Sequence, residues 1–139
     1  MSDRIDAWTH IFPQAYFARL KTMASAAGPL RRWLELKSLY DLDHRFRLMD
    51  GFAGYRQLLT PSMPPIEDMA DGPLAVELMR LMNDGLAELV DRHRDRFPAF
   101  AAALSLHDVD AAIAEIGRAD AMGAGGFQLC TPVSYTHLT

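Results

Sequence analysis

The sequence predicts an α/β fold of about four βα units, the number found in half of a (β/α)8 TIM barrel. Short apolar runs alternate with amphipathic stretches along the 139 residues, which is typical of strands joined by helices in a parallel sheet. No internal repeat is visible, and no glycine-rich phosphate loop follows the first apolar run. A nucleotide-binding fold therefore gains no support, and a small open α/β sheet remains the alternative architecture.

The first half of the chain contains two predicted strands separated by helical segments. The expected elements are a strand at 4–8, a helix at 15–20, a partly helical excursion at 30–40, a short helix at 42–49 and a strand at 55–60. Pro61 ends the second strand, and Pro64 with Pro65 keeps the following segment extended or looped.

The second half begins with the strongest helical pattern. Pro73 suits a first helical turn, and apolar residues recur at helical spacing from Leu74 to Val90. A third strand is predicted at 100–105, and Asp108 is a good N-cap for the next helix. The buried stripe of that helix is predicted to be Val109, Ala112, Ile113 and Ile116. Glycines at 123, 125 and 126 end it before a fourth strand at 127–131.

Composition and charge exclude several classes of function. Half of the residues are hydrophobic and 23% are charged, as in ordinary globular domains. The net charge of −4 argues against a nucleic-acid-binding protein, which usually has a basic surplus. No apolar run reaches the roughly 20 residues of a membrane helix, and the N-terminus does not resemble a signal peptide. Cys130 is the single cysteine, which favours a cytoplasmic location.

Ordered segments between residue 4 and about residue 132 carry a family resemblance. They are Asp6-Ala7-Trp8-Thr9-His10 with Pro13, Arg47-Leu48-Met49-Asp50, Met82-Asn83-Asp84 with Asp95-Arg96-Phe97, Leu106-His107-Asp108-Val109-Asp110-Ala111-Ala112, and Gly125-Gly126-Phe127-Gln128-Leu129-Cys130-Thr131. This set resembles the amidohydrolase-related family of decarboxylase-like enzymes. The resemblance implies the N-terminal half of a metal-dependent (β/α)8 enzyme, with zinc or manganese as its divalent metal and a homodimeric full-length form.

The same resemblance directs attention to the end of the first strand. Two histidines spaced i, i+2 on a strand share a face and can hold one cation at a barrel mouth. His10 occupies the second position of the family's Asp-x-His-x-His pattern, but Trp8 replaces the first histidine. The resemblance therefore implies His10 as a metal ligand, and Trp8 could pack in the barrel or stack on an aromatic substrate. The alternatives for His10 are a histidine that is merely hydrogen-bonded at the barrel mouth and a subgroup that has lost or rebuilt its metal site.

Other candidates have weaker functional interpretations. Thr60, at the end of the second strand, could contact substrate, with a structural threonine as the alternative. The remaining candidates are interpreted structurally: Asp6 as an outer partner of the metal site or a buried group, His44, His93 and His107 as solvated or surface residues, Cys130 as an inert buried thiol, and Arg31, Arg32 and Lys37 as solvated. No catalytic residue is predicted here, because the resemblance places the other ligands and the acid–base groups on later strands.

Three functions remain open from the sequence. The leading one is a metal-assisted carboxy-lyase acting on an aromatic or unsaturated carboxylic acid. A hydrolase of the same superfamily, opening a lactone or an amide, is the second, and a metal-free binding protein is the third. The predicted domain covers 1–132. The tail at 133–139 resembles a translated sequencing adapter. Because a half barrel lacks the later ligands and leaves strand edges and apolar helix faces uncovered, the chain alone is expected to be inactive and prone to self-association.

Overall fold

The computed structural model describes residues 3–24, 28 and 30–130. Its strands are β1 (Arg4–Ile11), β2 (Tyr55–Pro61), β3 (Ala101–Ala103) and β4 (Gly126–Gln128). Its helices are α1 (Gln14–Met23), α2 (Leu30–Leu34), α3 (Lys37–Tyr40), α4 (Leu42–Met49), α5 (Gly72–Arg92) and α6 (Val109–Ala121), with a 3-10 helix at Ile66–Asp68. The predicted foreign tail, the domain boundary at 132 and the last residue of the predicted fourth strand lie outside the described residues.

The described strands are parallel and follow one another in space. β1 pairs with β2, β3 pairs with β4, and a parallel bridge between Leu59 and Phe100 joins the two pairs. The order β1-β2-β3-β4 therefore repeats the order along the chain, as consecutive βα units require. The predicted α/β class is confirmed.

Local sequence signals explain where the helices begin and end. The Asp41 carboxylate accepts a hydrogen bond from the His44 N–H at the start of α4, and Asp108 does the same for Ala111 at the start of α6. Pro73 lies in the first turn of α5, where its missing N–H costs nothing. Gly123 has a φ of 89° just after α6, a conformation that glycine adopts without strain.

The core lies between helices α1 and α5 and the sheet. Its largest fully buried side chains include Tyr16, Phe12, Phe97, Phe100, Leu20, Leu59, Leu78, Met82 and Leu86. Helix α5 supplies a stripe of these at helical spacing, which confirms the apolar periodicity read from 74–90. The core thus holds the sheet and α1 in place and fixes the strand ends.

The predicted buried stripe of α6 is wrong in all but one position. Val109, Ile113 and Ile116 are 58%, 62% and 41% exposed. Ala112, Glu115 and Ala119 form the buried face instead. Two small alanines let the helix approach closely, and the Glu115 carboxylate is accommodated because Asn83 and Arg118 donate hydrogen bonds to it.

The strand boundaries also differ from the prediction. β1 extends to Ile11, beyond the predicted end at residue 8, whereas β3 covers Ala101–Ala103 within the predicted 100–105. Leu104 and Ser105 follow β3 as buried residues without strand pairing. The sequence assigned these two residues to the strand because they continue the run at 100–105, but such a run does not report main-chain pairing.

Candidate functional site at the carboxyl ends of β1 and β2

His10 and Thr60 lie side by side at the carboxyl ends of two neighbouring strands. The register of the parallel pair places His10 opposite Thr60. The Nδ1 atom of His10 is 2.8 Å from the carbonyl oxygen of Pro61 and 2.9 Å from the Thr60 hydroxyl. The Thr60 side chain is almost fully buried, with 1% of the residue exposed. The structure therefore brings these two predicted site residues into direct contact.

These contacts identify a ring nitrogen of His10 that carries a proton. A carbonyl oxygen only accepts hydrogen bonds, so the short contact with Pro61 requires a proton on Nδ1. In its neutral form the ring therefore has its lone pair on Nε2. An Nδ1–H bonded to a main-chain carbonyl is the arrangement that orients metal-binding histidines in proteins.

A β-bulge in β1 sets the position of Trp8. The register between β1 and β2 shifts between Asp6 and Thr9, so that two residues of β1 face one of β2. The indole of Trp8 is 64% exposed and contacts the His10 ring edge-on, with centroids 5.1 Å apart at 75°. Trp8 thus forms an exposed aromatic wall beside the candidate ligand.

Asp6 supports this bulge from the other side. Its carboxylate accepts one hydrogen bond from the Trp8 main-chain N–H at 3.1 Å and one from the Tyr55 hydroxyl at 2.9 Å. Asp6 was predicted to be either an outer partner of the metal site or a buried group, and the structure makes it a half-buried anchor of the bulge.

Arg45 holds the main chain of His10, a role that sequence reasoning missed. Its buried guanidinium donates to the His10 carbonyl, to the Ser38 carbonyl at 2.7 Å and to Gln57 Oε1 at 2.8 Å. Burial lowers the pKa of Arg45 to about 10, although Tyr55 and Asp6 oppose this shift. The sequence did contain one indication of this burial. Arg45 lies four residues before the apolar Met49 on α4, so the two side chains share one helix face.

Of the residues at this site, His10 is suited to bind a metal ion. His10 offers an oriented imidazole, which zinc and manganese both accept. Among residues 3–24, 28 and 30–130, no group of three or more His, Cys, Asp or Glu side chains could hold an ion. His10 can therefore serve as one ligand, while the described residues do not complete a coordination sphere.

The other candidate residues have structural environments of their own. His93 was expected to be solvated but packs edge-on against Phe46, with centroids 5.0 Å apart. His107, expected at the surface, is only 16% exposed in its side chain and pairs with Asp71 at 2.7 Å. His44 is half-buried on α4. The sequence did not reveal these contacts, because the partners of both residues, Phe46 and Asp71, are distant along the chain.

Cys130 is half-buried rather than fully buried as predicted, but its surroundings agree with an unreactive thiol. Burial raises the pKa of its thiol, and the negative charges of Glu67 and Asp68 raise that pKa further. The thiolate is the nucleophilic form, so these surroundings disfavour reaction. Arg31, Arg32 and Lys37 are exposed, as expected. No helix within the described ranges combines the length and the apolar character needed to cross a membrane.

Comparisons with known proteins point to aromatic decarboxylases. No protein-family model matches the chain. Over 109 residues, which make up 76% of this chain, it is 39% identical to the gamma-resorcylate decarboxylase of Rhizobium radiobacter. The match covers 33% of that protein, so the chain spans about a third of the length of the curated relatives it matches.

Solved structures of decarboxylases are also similar to this chain. The 2,6-dihydroxybenzoate decarboxylase from Rhizobium matches with a TM-score of 0.68 and 31% identity, over 91% of this chain and 38% of that one. A dihydroxybenzoic acid decarboxylase from Polaromonas sp. JS666, crystallised with manganese and the inhibitor 2-nitroresorcinol, matches with a TM-score of 0.68 and 30% identity over the same shares. The mixed α/β chain is therefore similar to part of TIM-barrel decarboxylases.

Proposed function

We propose that this chain is part of a metal-dependent decarboxylase that removes CO2 from an aromatic or unsaturated carboxylic acid. The observation that carries the proposal is His10, whose Nδ1 is bound at a strand end so that Nε2 can face a cation. The named activities of the similar proteins, on gamma-resorcylate and 2,6-dihydroxybenzoate, support an aromatic substrate. The manganese in the Polaromonas enzyme supports a divalent metal, with zinc as the other candidate.

In this proposal each described residue has a limited role. A bound divalent cation would polarise a substrate carboxylate or phenolate oxygen. His10 supplies one ligand, and the Pro61 carbonyl with Thr60 keeps its ring aimed. Trp8 offers an aromatic face for a planar substrate. Thr60 is 1% exposed, so its role in this proposal is to hold the His10 ring rather than to contact substrate. The other ligands and the acid–base group would come from residues outside the described ranges.

The architecture proposed for the whole protein is an eight-unit barrel. Residues 1–132 would form its first four βα units, and the parallel order β1-β2-β3-β4 supports this count. Catalytic residues of such barrels lie at the carboxyl ends of strands, which is where His10 and Thr60 are found. The full-length protein is proposed to be a cytoplasmic homodimer.

The experiment compares His10→Ala with His44→Ala in a longer protein that contains this segment with its Trp8 and His10. We expect stoichiometric manganese or zinc in the purified protein and release of CO2 from 2,6-dihydroxybenzoate. His10→Ala should lower both metal content and turnover by at least about a hundredfold, whereas His44→Ala, on α4, should leave them unchanged. A metal-free protein that decarboxylates none of the tested acids would contradict the proposal, and cleavage of a lactone or amide instead would identify a hydrolase.

Trp8 favours a second candidate, a metal-free protein that binds aromatic acids. It replaces a ligand of the family pattern and its indole is largely exposed. Trp33 is the other tryptophan, so a Trp33→Phe background isolates Trp8 fluorescence. Quenching by 2,6-dihydroxybenzoate that persists in EDTA would support this candidate, and quenching that requires manganese would support the enzyme.

A further inference from the structure

A small cavity lies at the carboxyl ends of β2, β3 and β4. Its volume is about 20 Å³, and its lining includes Tyr16, Pro61, Glu67 and Gln128. A water molecule needs about 10–15 Å³ of such space together with two to four polar partners. The cavity is therefore large enough for one water and too small for an organic ligand.

Two polar atoms on residues that line the cavity have no partner. The Tyr16 hydroxyl and Gln128 Oε1 are buried, and neither has a hydrogen-bond partner among the described residues. Tyr16 as a whole is fully buried. Buried polar groups in folded proteins are nearly always hydrogen-bonded to protein or to ordered water. Two such groups at one water-sized cavity call for a common partner.

We propose that this cavity is a binding site for one ordered water molecule that links Tyr16 to Gln128. The water accepts a hydrogen bond from the Tyr16 O–H and donates one to Gln128 Oε1. Its second proton faces the Glu67 carboxylate, whose Oε1 already accepts from the Leu106 N–H at 3.0 Å. These three partners match the usual number for a buried water.

The water also gives Gln128 a role at the candidate site. Gln128 Nε2 donates to the Pro61 carbonyl at 3.2 Å, the same oxygen that accepts the proton of His10 Nδ1 at 2.8 Å. By holding Oε1, the water fixes which end of the amide faces Pro61. Gln128 is thus a positioning residue for the His10 ring. The effect of Gln128 on metal binding rests on the proposed function, whereas the water site and the orientation of the His10 ring do not depend on that function.

The stability of Tyr16→Phe tests the water site, because a paired and an unpaired hydroxyl predict opposite shifts of the urea midpoint. If the hydroxyl is truly unpaired, its removal relieves a penalty and raises the urea midpoint. If the hydroxyl binds water, as we propose, its removal lowers the midpoint. Tyr40→Phe, the same change on a ring stacked against Phe17 outside this cavity, is the control. A raised midpoint for Tyr16→Phe alone overturns the proposal.

A crystal structure of the 139-residue chain provides a second test that does not depend on stability. We expect a water peak within hydrogen-bond distance of both Tyr16 Oη and Gln128 Oε1. A dry cavity, or density that belongs to a protein side chain, overturns the proposal.

The positioning role is tested on the metal-free protein by 15N NMR of the His10 ring. Wild type should show the Nδ1–H tautomer. Gln128→Leu should keep that tautomer but shift the Nδ1 resonance, because the Pro61 carbonyl then accepts from His10 alone. Gln14→Leu, the same change at an exposed position of α1, should leave the resonance unchanged. An unchanged Nδ1 resonance in Gln128→Leu removes the positioning role. A wild-type protein that shows this response but binds no manganese would count against the proposed function alone.

Discussion

Buried polar side chains in this protein are tied to main-chain groups of neighbouring elements. The fully buried Asn83 of α5 accepts from the Ala103 N–H at 2.6 Å and donates to the Ala103 carbonyl at 2.9 Å. It also donates to Glu115 Oε1 at 2.8 Å. One amide thereby satisfies β3 and a carboxylate of α6 at the same time, and three elements depend on it.

Replacing Asn83 with leucine should therefore be costly. The change leaves the Ala103 N–H and C=O without their side-chain partner and takes one donor from Glu115. We expect a loss of about 3 kcal/mol in the free energy of unfolding, measured by urea denaturation. Glu88→Gln is the control, because Glu88 forms an exposed pair with Arg92 and should cost less than about 1 kcal/mol. Equal effects of the two variants would contradict this role of Asn83.

Glu115 makes stability depend on acid pH. Burial raises the pKa of its carboxyl, but hydrogen bonds from Arg118 and Asn83 outweigh burial and hold the pKa below its ordinary value of 4.5. A lowered folded-state pKa contributes stability that is present above the unfolded value and is lost as the pH falls through the folded value. We expect Glu115→Gln to be less stable than wild type at pH 7 and to lose less stability below pH 4.5. Unfolding curves at several pH values check this, and parallel pH profiles would refute it.

At this scale, candidate residues could be predicted from the sequence better than the groups to which they hydrogen-bond. The strand-end position of His10 was implied by the family resemblance, but the Pro61 carbonyl that orients it depends on the register of two strands. Arg45 and Gln128 were missed because each acts on the main chain of a residue far away in sequence. A single sequence does not report such contacts, since any main-chain carbonyl can accept them.

At the scale of elements, the packing of α1 against α5 depends on a glycine. A Cβ atom at Gly85 would lie 2.2 Å from Pro13 Cβ and 2.9 Å from its Cγ. Pro13 directly precedes α1, and its rigid ring has little freedom to move away. Gly85 therefore sets how closely the N-terminus of α1 approaches α5.

A pair of glycine-to-alanine variants tests this packing. Gly85→Ala should destabilise by about 1–3 kcal/mol through overpacking, despite the better helix propensity of alanine. Gly117→Ala, in α6 with no atom within 4 Å of its added Cβ, should stabilise by up to about 1 kcal/mol. Thermal unfolding of both variants measures the contrast. A stabilised Gly85→Ala would show that α1 shifts freely.

Most elements could be predicted from periodicity and capping residues, and the exception is instructive. Helix α6 begins at its predicted cap, yet the face it buries is rotated from the apolar stripe. Its buried face contains Glu115, which hydropathy alone assigns to solvent. The partners that make this burial favourable come from α5 and from within α6, so the correct face emerges only from tertiary contacts.

At the scale of the whole molecule, apolar surface is left open on α6 and along the sheet. Val109, Ile113 and Ile116 lie on one helix face at spacings of three and four residues and are all exposed. Within the described ranges, β1 and β4 each have a strand partner on one side only. Unpaired strand edges and contiguous apolar patches both favour association between chains.

We therefore expect the 139-residue chain to self-associate through the α6 face. Replacing Ile113 and Ile116 together with lysine should lower the weight-average mass in sedimentation runs across a concentration series, because each charge would be buried in the contact. The fold should be retained with little change in stability, since both side chains are exposed. Leu36→Lys, at an exposed apolar residue outside this face, should leave association unchanged. A wild-type chain that is monomeric at every concentration would contradict the expectation, and equal effects of all the lysine variants would assign association to net charge rather than to this surface.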